Sequence, residues 1–175
     1  MKLSLLFEMD DQSSQGGVVV TSLPLQLFVG SEAPVRSKII PVTNDVGYSK
    51  PSGGLWTSTW REESRDSDWV EWCHRERRGA LDGAGWWLLR VAAPVRLVRI
   101  DSDSDLEVLA SRYGHSVPSI SLFGGVSLDF ERLAEDFDGV HMSSPVIDGW
   151  DVESTLWFRW CFSGVEAIDP CGRVS

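Results

Sequence analysis

Residues 53–60 read GGLWTSTW, a glycine pair followed by a short run rich in tryptophan and hydroxyl side chains. Leu55, Thr57 and Thr59 fall on one side of an extended chain, and the residues between them fall on the other. This period of two predicts a β-strand. The glycine-, serine- and proline-rich residues 46–54 predict a loop before the strand, whose glycine pair lets backbone come close to a ligand.

Other short runs of β-branched and aromatic residues predict further strands. They cover residues 18–21, 25–29, 39–42, 86–92, 95–100, 120–123, 139–142, 154–162 and 165–168. Many short strands without a regular strand–helix–strand order indicate an α+β domain with mixed or antiparallel sheets. A length of 175 residues fits one domain, 1–175, in which residues 1–17 form a frayed N-terminal strand and loop.

Three helices are predicted, over residues 68–78, 104–113 and 130–137. Ser67 precedes the first as its N-cap. Trp69, Trp72 and Cys73 follow at i, i+3 and i+4 and are predicted to form the buried face of that helix. The sequence Ser-Asp-Leu-Glu at 104–107 has the pattern of a capping box and marks the start of the second helix.

The net charge of −10 is distributed unevenly along the chain. Residues 101–175 contain 4 basic and 14 acidic side chains, whereas residues 61–100 contain 8 basic and 7 acidic ones. Because binding to a phosphate backbone depends on lysine and arginine, general nucleic-acid binding is not expected. The arginines of the middle segment are suited to a small anion such as a nucleotide pyrophosphate, or they are solvated residues on helix and strand edges.

The cysteines, Cys73, Cys161 and Cys171, form no close pair and no metal-ligand pattern. Such sparse thiols are typical of reduced, cytoplasmic proteins, and no metal site is predicted. His115 and His141 have no histidine or cysteine close by in sequence and are expected to be structural or surface residues. The apolar start of the chain is too short for a signal peptide, and no run reaches the roughly 18 apolar residues of a membrane helix, so no membrane association is expected.

The common catalytic signatures are absent from the sequence, which contains no P-loop, no dinucleotide-binding glycine motif and no nucleophile elbow. Cys73 and His74 look like a nucleophile beside its base. Adjacent residues on a helix do not face each other, however, so a catalytic pair is not predicted.

Two features remain as candidate sites. Trp56 and Ser58 lie on the same face of the predicted strand, and an aromatic ring beside a hydroxyl suits stacking on a flat ligand ring. Asp151 and Glu153 lie at i and i+2 directly before the apolar run 154–162, where carboxylates can stabilise a positive charge or take a proton. The structural alternatives are a hairpin loop that feeds a core strand and a pair of solvated residues at a strand entry.

Together, three short motifs resemble those of the ADP-ribosyltransferase superfamily. Residues 27–31, LFVGS, resemble its first strand motif, Leu-Tyr/Phe-His/Arg-Gly-Ser/Thr. Residues 54–58, GLWTS, resemble its second, Gly-Leu-Tyr-x-Ser, and residues 151–153, DVE, resemble the late strand that brings a glutamate. The resemblance extends over roughly residues 25–165 and implies a split, two-sheet α+β core that binds NAD.

The resemblance also implies roles for individual residues. Glu153 would hydrogen-bond the nicotinamide ribose and stabilise an oxocarbenium-like transition state. Asp151 would lie where some members place an acid that activates the acceptor, and Trp56 and Ser58 would line the nicotinamide pocket. The residues implied to bind NAD are Gly30, Ser31, Arg36, Lys50, Gly54, Trp56 and Ser58.

Val29 departs from the family pattern, because members carry at this place a histidine or arginine that holds the NAD ribose or phosphate. Three explanations are open. Arg36 or Lys38 supplies the cation, NAD binds differently, or catalysis has been lost.

The sequence therefore predicts a small cytoplasmic protein that uses NAD to ADP-ribosylate a macromolecular target, with a toxin, a phage effector and a regulator all open as its setting. The alternative is a non-catalytic binding or inhibitory module that engages a basic protein partner through the acidic C-terminal half. A tryptophan-rich carbohydrate binder is a third hypothesis. The oligomeric state is not determined by the sequence.

Overall fold

The computed structural model describes residues 18–20, 23–44, 51–77, 79–114, 128–143 and 152–169. The strands in this part of the chain are β1 (Val18–Val20), β2 (Gln26–Gly30), β3 (Leu55–Thr59), β4 (Gly85–Val91), β5 (Val95–Ile100), β6 (Gly139–Met142), β7 (Ser154–Trp157) and β8 (Phe162–Ile168). The α-helices are α1 (Asp68–Glu76), α2 (Asp103–Tyr113) and α3 (Phe130–Asp136), and a 3-10 turn covers Arg36–Lys38.

The strands form one hydrogen-bonded sheet in the order β1-β5-β6-β7-β3-β2-β4-β8. The pair β5 and β6 is parallel, and the other neighbouring strands are antiparallel. This arrangement, with three α-helices in the described residues, confirms the mixed α+β class that the sequence predicts.

β3 connects the two sides of this sheet because it changes its neighbour part of the way along. Its residues Leu55 to Thr57 pair with β7, whereas Ser58 and Thr59 pair with β2. We call the four strands on one side of β3 the β7 side, namely β1, β5, β6 and β7. The three strands on its other side, β2, β4 and β8, are the β2 side. The change of neighbour between Thr57 and Ser58 is the structural feature on which the candidate site is built.

Three apolar clusters cover the sheet. Helices α2 and α3 pack on one face of the β7 side, and α1 packs on the β2 side through Val70. A third cluster contains residues from both sides, such as Leu97 and Trp157 from the β7 side and Leu89 and Phe162 from the β2 side. We call the face that carries Leu97 and Trp157 the inner face, since it lies toward the other side of the sheet.

Helix α1 begins where the sequence predicts, and the Ser67 hydroxyl accepts a hydrogen bond from the Val70 amide at 3.4 Å. Its buried residues, however, are Val70 and Cys73. Trp69 is 38% exposed and stacks on Trp72, with 5.1 Å between ring centroids. The predicted buried face is therefore confirmed for Cys73 and wrong for Trp69 and Trp72, because the small Val70 fits against the sheet where two indole rings do not.

Helix α2 begins two residues earlier than its predicted capping box. Ser102 is the N-cap, and its hydroxyl accepts from the Asp105 amide at 3.2 Å. The Asp105 carboxylate in turn accepts from the Asp101 amide at 3.0 Å. The error has a local cause, since Ser-Asp occurs twice in succession at 102–105 and both copies have capping residues.

Two predicted strands differ from the structure. Residues 39–42 are not in a strand, and only an isolated bridge between Thr43 and Ser52 follows them. The predicted strand 154–162 is divided into β7 and the start of β8, because the chain turns at 158–161 and crosses to the β2 side. The predicted strand 120–123 and residues 1–17 lie outside the described residues.

Gly54 lies directly before β3, where the chain approaches β7 closely. Its φ is +69°, and a Cβ there would lie 2.4 Å from Leu156 Cδ1 and 2.9 Å from the Trp157 carbonyl oxygen. Gly83 has a similar φ of +72° with nothing within 4 Å of the same position. Gly83→Ala should therefore cost only the left-handed backbone penalty, about 1–2 kcal/mol.

Gly54→Ala should cost about 1–3 kcal/mol more than that, because the new methyl group overpacks the strand pair. Urea unfolding of both variants measures the difference. Equal losses of stability would contradict the close approach of β3 to β7.

Candidate functional site

The candidate site lies where β3 exchanges β7 for β2. Trp60 donates its backbone N–H to the Leu25 carbonyl of the segment before β2 at 2.8 Å. Since alternate residues of a strand direct their N–H groups to opposite edges, the N–H of Thr59 points toward the β7 side. The register of Thr57 with Thr155 places Glu153 opposite Thr59, one residue before β7 begins. The Glu153 side chain therefore accepts the hydrogen bond from the Thr59 N–H in place of a backbone carbonyl of β7.

Glu153 accepts three hydrogen bonds from β3 through its carboxylate. Oε2 accepts from the Ser58 hydroxyl at 2.7 Å and from the Thr59 N–H at 2.8 Å. Oε1 accepts from the Thr59 hydroxyl at 2.9 Å. The Glu153 side chain is only 13% exposed. This geometry brings together Ser58 and Glu153, two residues that the sequence singles out from positions 95 apart in the chain.

A second layer of hydrogen bonds supports this carboxylate. The Trp157 indole N–H donates to the Thr57 hydroxyl at 2.9 Å, which donates to Gln26 Oε1 at 2.9 Å. The Gln26 amide nitrogen then donates to the Thr59 hydroxyl at 3.4 Å. Each donor is directed toward the next group, so the series ends on Glu153, which as an ionised carboxylate only accepts.

The polar residues of this network are buried. Five buried polar residues are found in the described part of the chain, and four of them lie at this junction: Gln26, Thr57, Ser58 and Thr155. Leaving a buried donor or acceptor without its partner costs about 1–3 kcal/mol. Several such groups held together are therefore strongly constrained in position.

His141 lies beside the carboxylate on the inner face of β6. Its Nδ1 is 2.9 Å from the Thr155 hydroxyl oxygen and 3.5 Å from Glu153 Oε1. Burial lowers the pKa of His141 below its ordinary value, the nearby Arg99 acts in the same direction, and Glu153 and Asp101 oppose it. The imidazole is consequently neutral at pH 7.

The order of these groups excludes a serine nucleophile. Ser58 is 2% exposed and donates its proton to Glu153, and the carboxylate stands between it and His141. A nucleophilic serine instead needs a general base such as histidine or lysine as its immediate partner. No group of three or more possible metal ligands is found among the described residues. The chemistry that the arrangement supports is stabilisation of positive charge by a fixed carboxylate.

A cavity of about 310 Å³ opens where β2 and β3 diverge. The described ladder between these strands joins only Gln26 to Thr59 and Leu27 to Ser58. The residues beyond these pairs line the cavity, including Phe28 and Gly30 on β2 and Gly54 and Leu55 at the start of β3. Leu55 and Thr59 are four residues apart, so the cavity lies about 13 Å along β3 from the Glu153 carboxylate.

Three of the residues singled out for NAD line this cavity, namely Gly30, Ser31 and Gly54. Of the two cations considered in place of Val29, Lys38 lines it, whereas Arg36 is on the same 3-10 turn but not among the lining residues.

Val29 itself packs on the α1 cluster. A cation at that position would point away from the cavity, because Phe28 and Gly30 are the residues of β2 that face it.

Other candidate residues are not in the cavity. Trp56 is half-buried and packs against the cluster under α2 and α3, so its ring is on the face opposite to Leu55. Ser58 contacts Glu153 and is not an exposed hydroxyl that shares a ligand with that ring. Asp151 and Lys50 lie outside the described residues.

Thr59, Gln26 and His141 belong to the site but were not among the residues predicted for it. A signal for the first was present, because three consecutive hydroxyl residues at 57–59 are unusual in a strand flanked by tryptophans. Gln26 and His141 have no local signal. They are brought in by strand pairing, which joins Gln26 to Thr59 and His141 to Thr155.

Comparison of the chain with protein-family models, with curated proteins and with solved structures finds no match. The resemblance to ADP-ribosyltransferases therefore depends on the short motifs and is a proposal. Among the helices of the described residues, none has the length and apolar character needed to cross a membrane.

The environment of His141 predicts its titration. Glu153 raises the pKa of this imidazole against the effect of burial, so Glu153→Gln should lower the pKa of His141 further. Glu166→Gln, an exposed change on β8, should leave it unchanged. The pH dependence of the imidazole proton resonances in NMR spectra measures both. A rise in the pKa of His141 in Glu153→Gln would contradict the contact.

The same shift has a consequence for stability. The folded protein keeps His141 neutral at a pH where the unfolded chain already binds a proton. The stabilisation from the neutral imidazole is therefore complete above pH 6.5, the ordinary value, and is lost as the pH falls below it.

Proposed function

We propose that the protein is an NAD-dependent ADP-ribosyltransferase that modifies a macromolecular target, built on a split sheet whose two sides meet at β3. The observation that carries this proposal is the Glu153 carboxylate, which three donors from β3 hold in place beside the junction. Two of the motif residues that suggested the family, Ser58 and Glu153, are in direct contact there.

The chemistry follows from the fixed charge. When the bond between nicotinamide and ribose breaks, positive charge develops on the ribose carbon and its ring oxygen. A carboxylate that is already oriented stabilises this charge without reorganisation, and it does so most strongly where water is largely excluded. Glu153 is oriented by Ser58 and Thr59 and is mostly buried, which are the properties that this role requires.

The cavity supports a site for the phosphates of NAD. Lys38 is a cation at its wall, next to the apolar surface of Phe28 and Ile39. It forms an ion pair with Glu32, which also lines the cavity, and this pair lowers the pKa of Glu32. An anionic ligand would compete with Glu32 for Lys38. Lys38 is therefore the cation that we assign in place of the family's histidine or arginine.

The alternative of a binding module that uses an acidic C-terminal half is less well supported. Many of the carboxylates in this half are already engaged within the molecule. Asp101 pairs with Arg99, Asp129 caps α3, and Asp138 accepts from the Arg96 amide and pairs with Arg159. Carboxylates that are paired or hydrogen-bonded within the molecule contribute less to the attraction of a basic partner.

A cytoplasmic location is part of the proposal. Cys73 and Cys161 are free thiols. Burial raises the pKa of both, and the pKa of Cys161 is raised to about 11. Such thiols are inert and fit a reducing compartment.

Glu153→Gln tests the assigned chemistry. The amide keeps the shape of the side chain but removes its charge, so we expect the release of nicotinamide from NAD to fall about 10²–10³-fold, as when other groups that stabilise transition-state charge are removed. Thermal unfolding of the variant checks that it folds, and Glu166→Gln is the matched control. Unchanged nicotinamide release in folded Glu153→Gln would refute the role of Glu153.

Lys38→Met tests the cavity. We expect the Kd for NAD to rise about 5- to 10-fold, because an exposed cation contributes a modest share of phosphate binding. Arg36→Met, on the same turn but outside the cavity lining, is the control. Glu32→Gln should lower the Kd, since it frees Lys38. Calorimetric titration with NAD measures all three, and equal effects of the Lys38 and Arg36 changes would place the phosphates elsewhere.

A further inference from the structure

His141 presents a polarised imidazole to the candidate site. Its Nδ1 faces the Thr155 hydroxyl at 2.9 Å and Glu153 Oε1 at 3.5 Å. A lone pair on Nδ1 would be repelled by the carboxylate, so the proton of the neutral ring belongs on Nδ1. The lone pair of the ring is then on Nε2. The Thr155 hydroxyl thus orients the ring, and the nearby Glu153 carboxylate favours proton acceptance at Nε2.

The Nε2 atom of His141 is available to accept a proton from a substrate, because it has no hydrogen-bond partner among the described residues. No hydrogen bond from any of them reaches this atom, and the His141 side chain is 17% exposed. His141 lies on the inner face of β6, because its neighbours Val140 and Met142 pack under α2 and α3. That face also carries Leu55, which lines the cavity, and Thr59, which binds Glu153.

We propose that His141 is the general base that removes the proton from the nucleophile, and that this nucleophile is a hydroxyl group. The inference rests on the proposed function. The oxygen of the acceptor forms a bond to the ribose carbon as the bond from that carbon to nicotinamide breaks. The electron pair of the broken bond goes to the nicotinamide nitrogen, and the proton of the hydroxyl goes to His141 Nε2. Nicotinamide leaves neutral, and His141 is left as an imidazolium.

The surrounding charges suit this cycle. Glu153 and Asp101 favour the imidazolium once it forms, and Arg99 disfavours it. The effect of Arg99 is reduced because its guanidinium pairs with Asp101 at 2.7 Å. Before the reaction, burial keeps the ring neutral and able to accept a proton.

The same chemistry favours a hydroxyl acceptor over a carboxylate. A hydroxyl group or water must lose a proton when it receives the ADP-ribose group. A neutral imidazole is a group that can take this proton. A carboxylate acceptor would already be ionised and would need no base. It would also approach Glu153 with a like charge.

His141→Asn separates a base from a residue that only positions Glu153. The asparagine amide nitrogen lies near the place of Nδ1 and keeps a donor toward Thr155 and Glu153, but the variant has no Nε2. With NAD as substrate and water or methanol as acceptor, we expect the rate of nicotinamide release to fall about 10²-fold. The Kd for NAD should not change. The wild-type loss of activity below the pKa of His141 should disappear, and added imidazole should restore part of the rate.

The control is His74→Asn, an exposed change on α1 that should leave the rate as it is. If His141→Asn does not fold, His141→Gln is measured in its place, since it lacks a basic nitrogen as well. A folded variant within threefold of the wild-type rate, with the same pH profile, would overturn the role of His141 and leave the proposed function standing. Absence of any NAD turnover or binding by the wild-type protein would instead overturn the proposed function.

Discussion

The N–H of Thr59 is the group on which the rest of the structure depends. It points away from β2 toward a position that β7 does not reach, and a buried N–H must have a partner. Glu153 supplies that partner with its side chain and binds the two neighbouring hydroxyls at the same time. The carboxylate thus completes the hydrogen bonding of β3 at the point where this strand changes its neighbour.

This arrangement links the fold to the site. β7 pairs with β3 only as far as Thr57, which leaves the N–H of Thr59 without a ladder partner on that edge, and β2 pairs with β3 only at Ser58 and Thr59, which leaves the cavity open at the start of β3. The charge at one end of β3 and the cavity at the other are therefore two results of one change of neighbour. Because Gln26, Thr57 and Trp157 hold the donors in a single series, the carboxylate has little freedom to move.

Local pattern was sufficient for some elements. The strands at 95–100 and 139–142 coincide with β5 and β6, since alternation along a half-buried strand is a property of the strand itself. The pattern failed at 154–162. Alternation continues there although the chain turns, and the turn is held by Arg159, whose guanidinium donates to the carbonyls of Ala134 and Phe137. Those partners are more than 20 residues away, and no local pattern contains them.

The sequence by itself determined that this is an α+β domain with strands at β3 and from residue 154, where β7 begins, and it singled out Ser58 and Glu153. Only the tertiary structure decided that Thr59 and His141 belong with them, that Trp56 packs under the helices, and that Lys38 rather than Arg36 lines the cavity. The physical reason is that periodicity along a chain reports which side chains share a face. Which strands become neighbours, and where they part, depends on packing between segments about 95 residues apart.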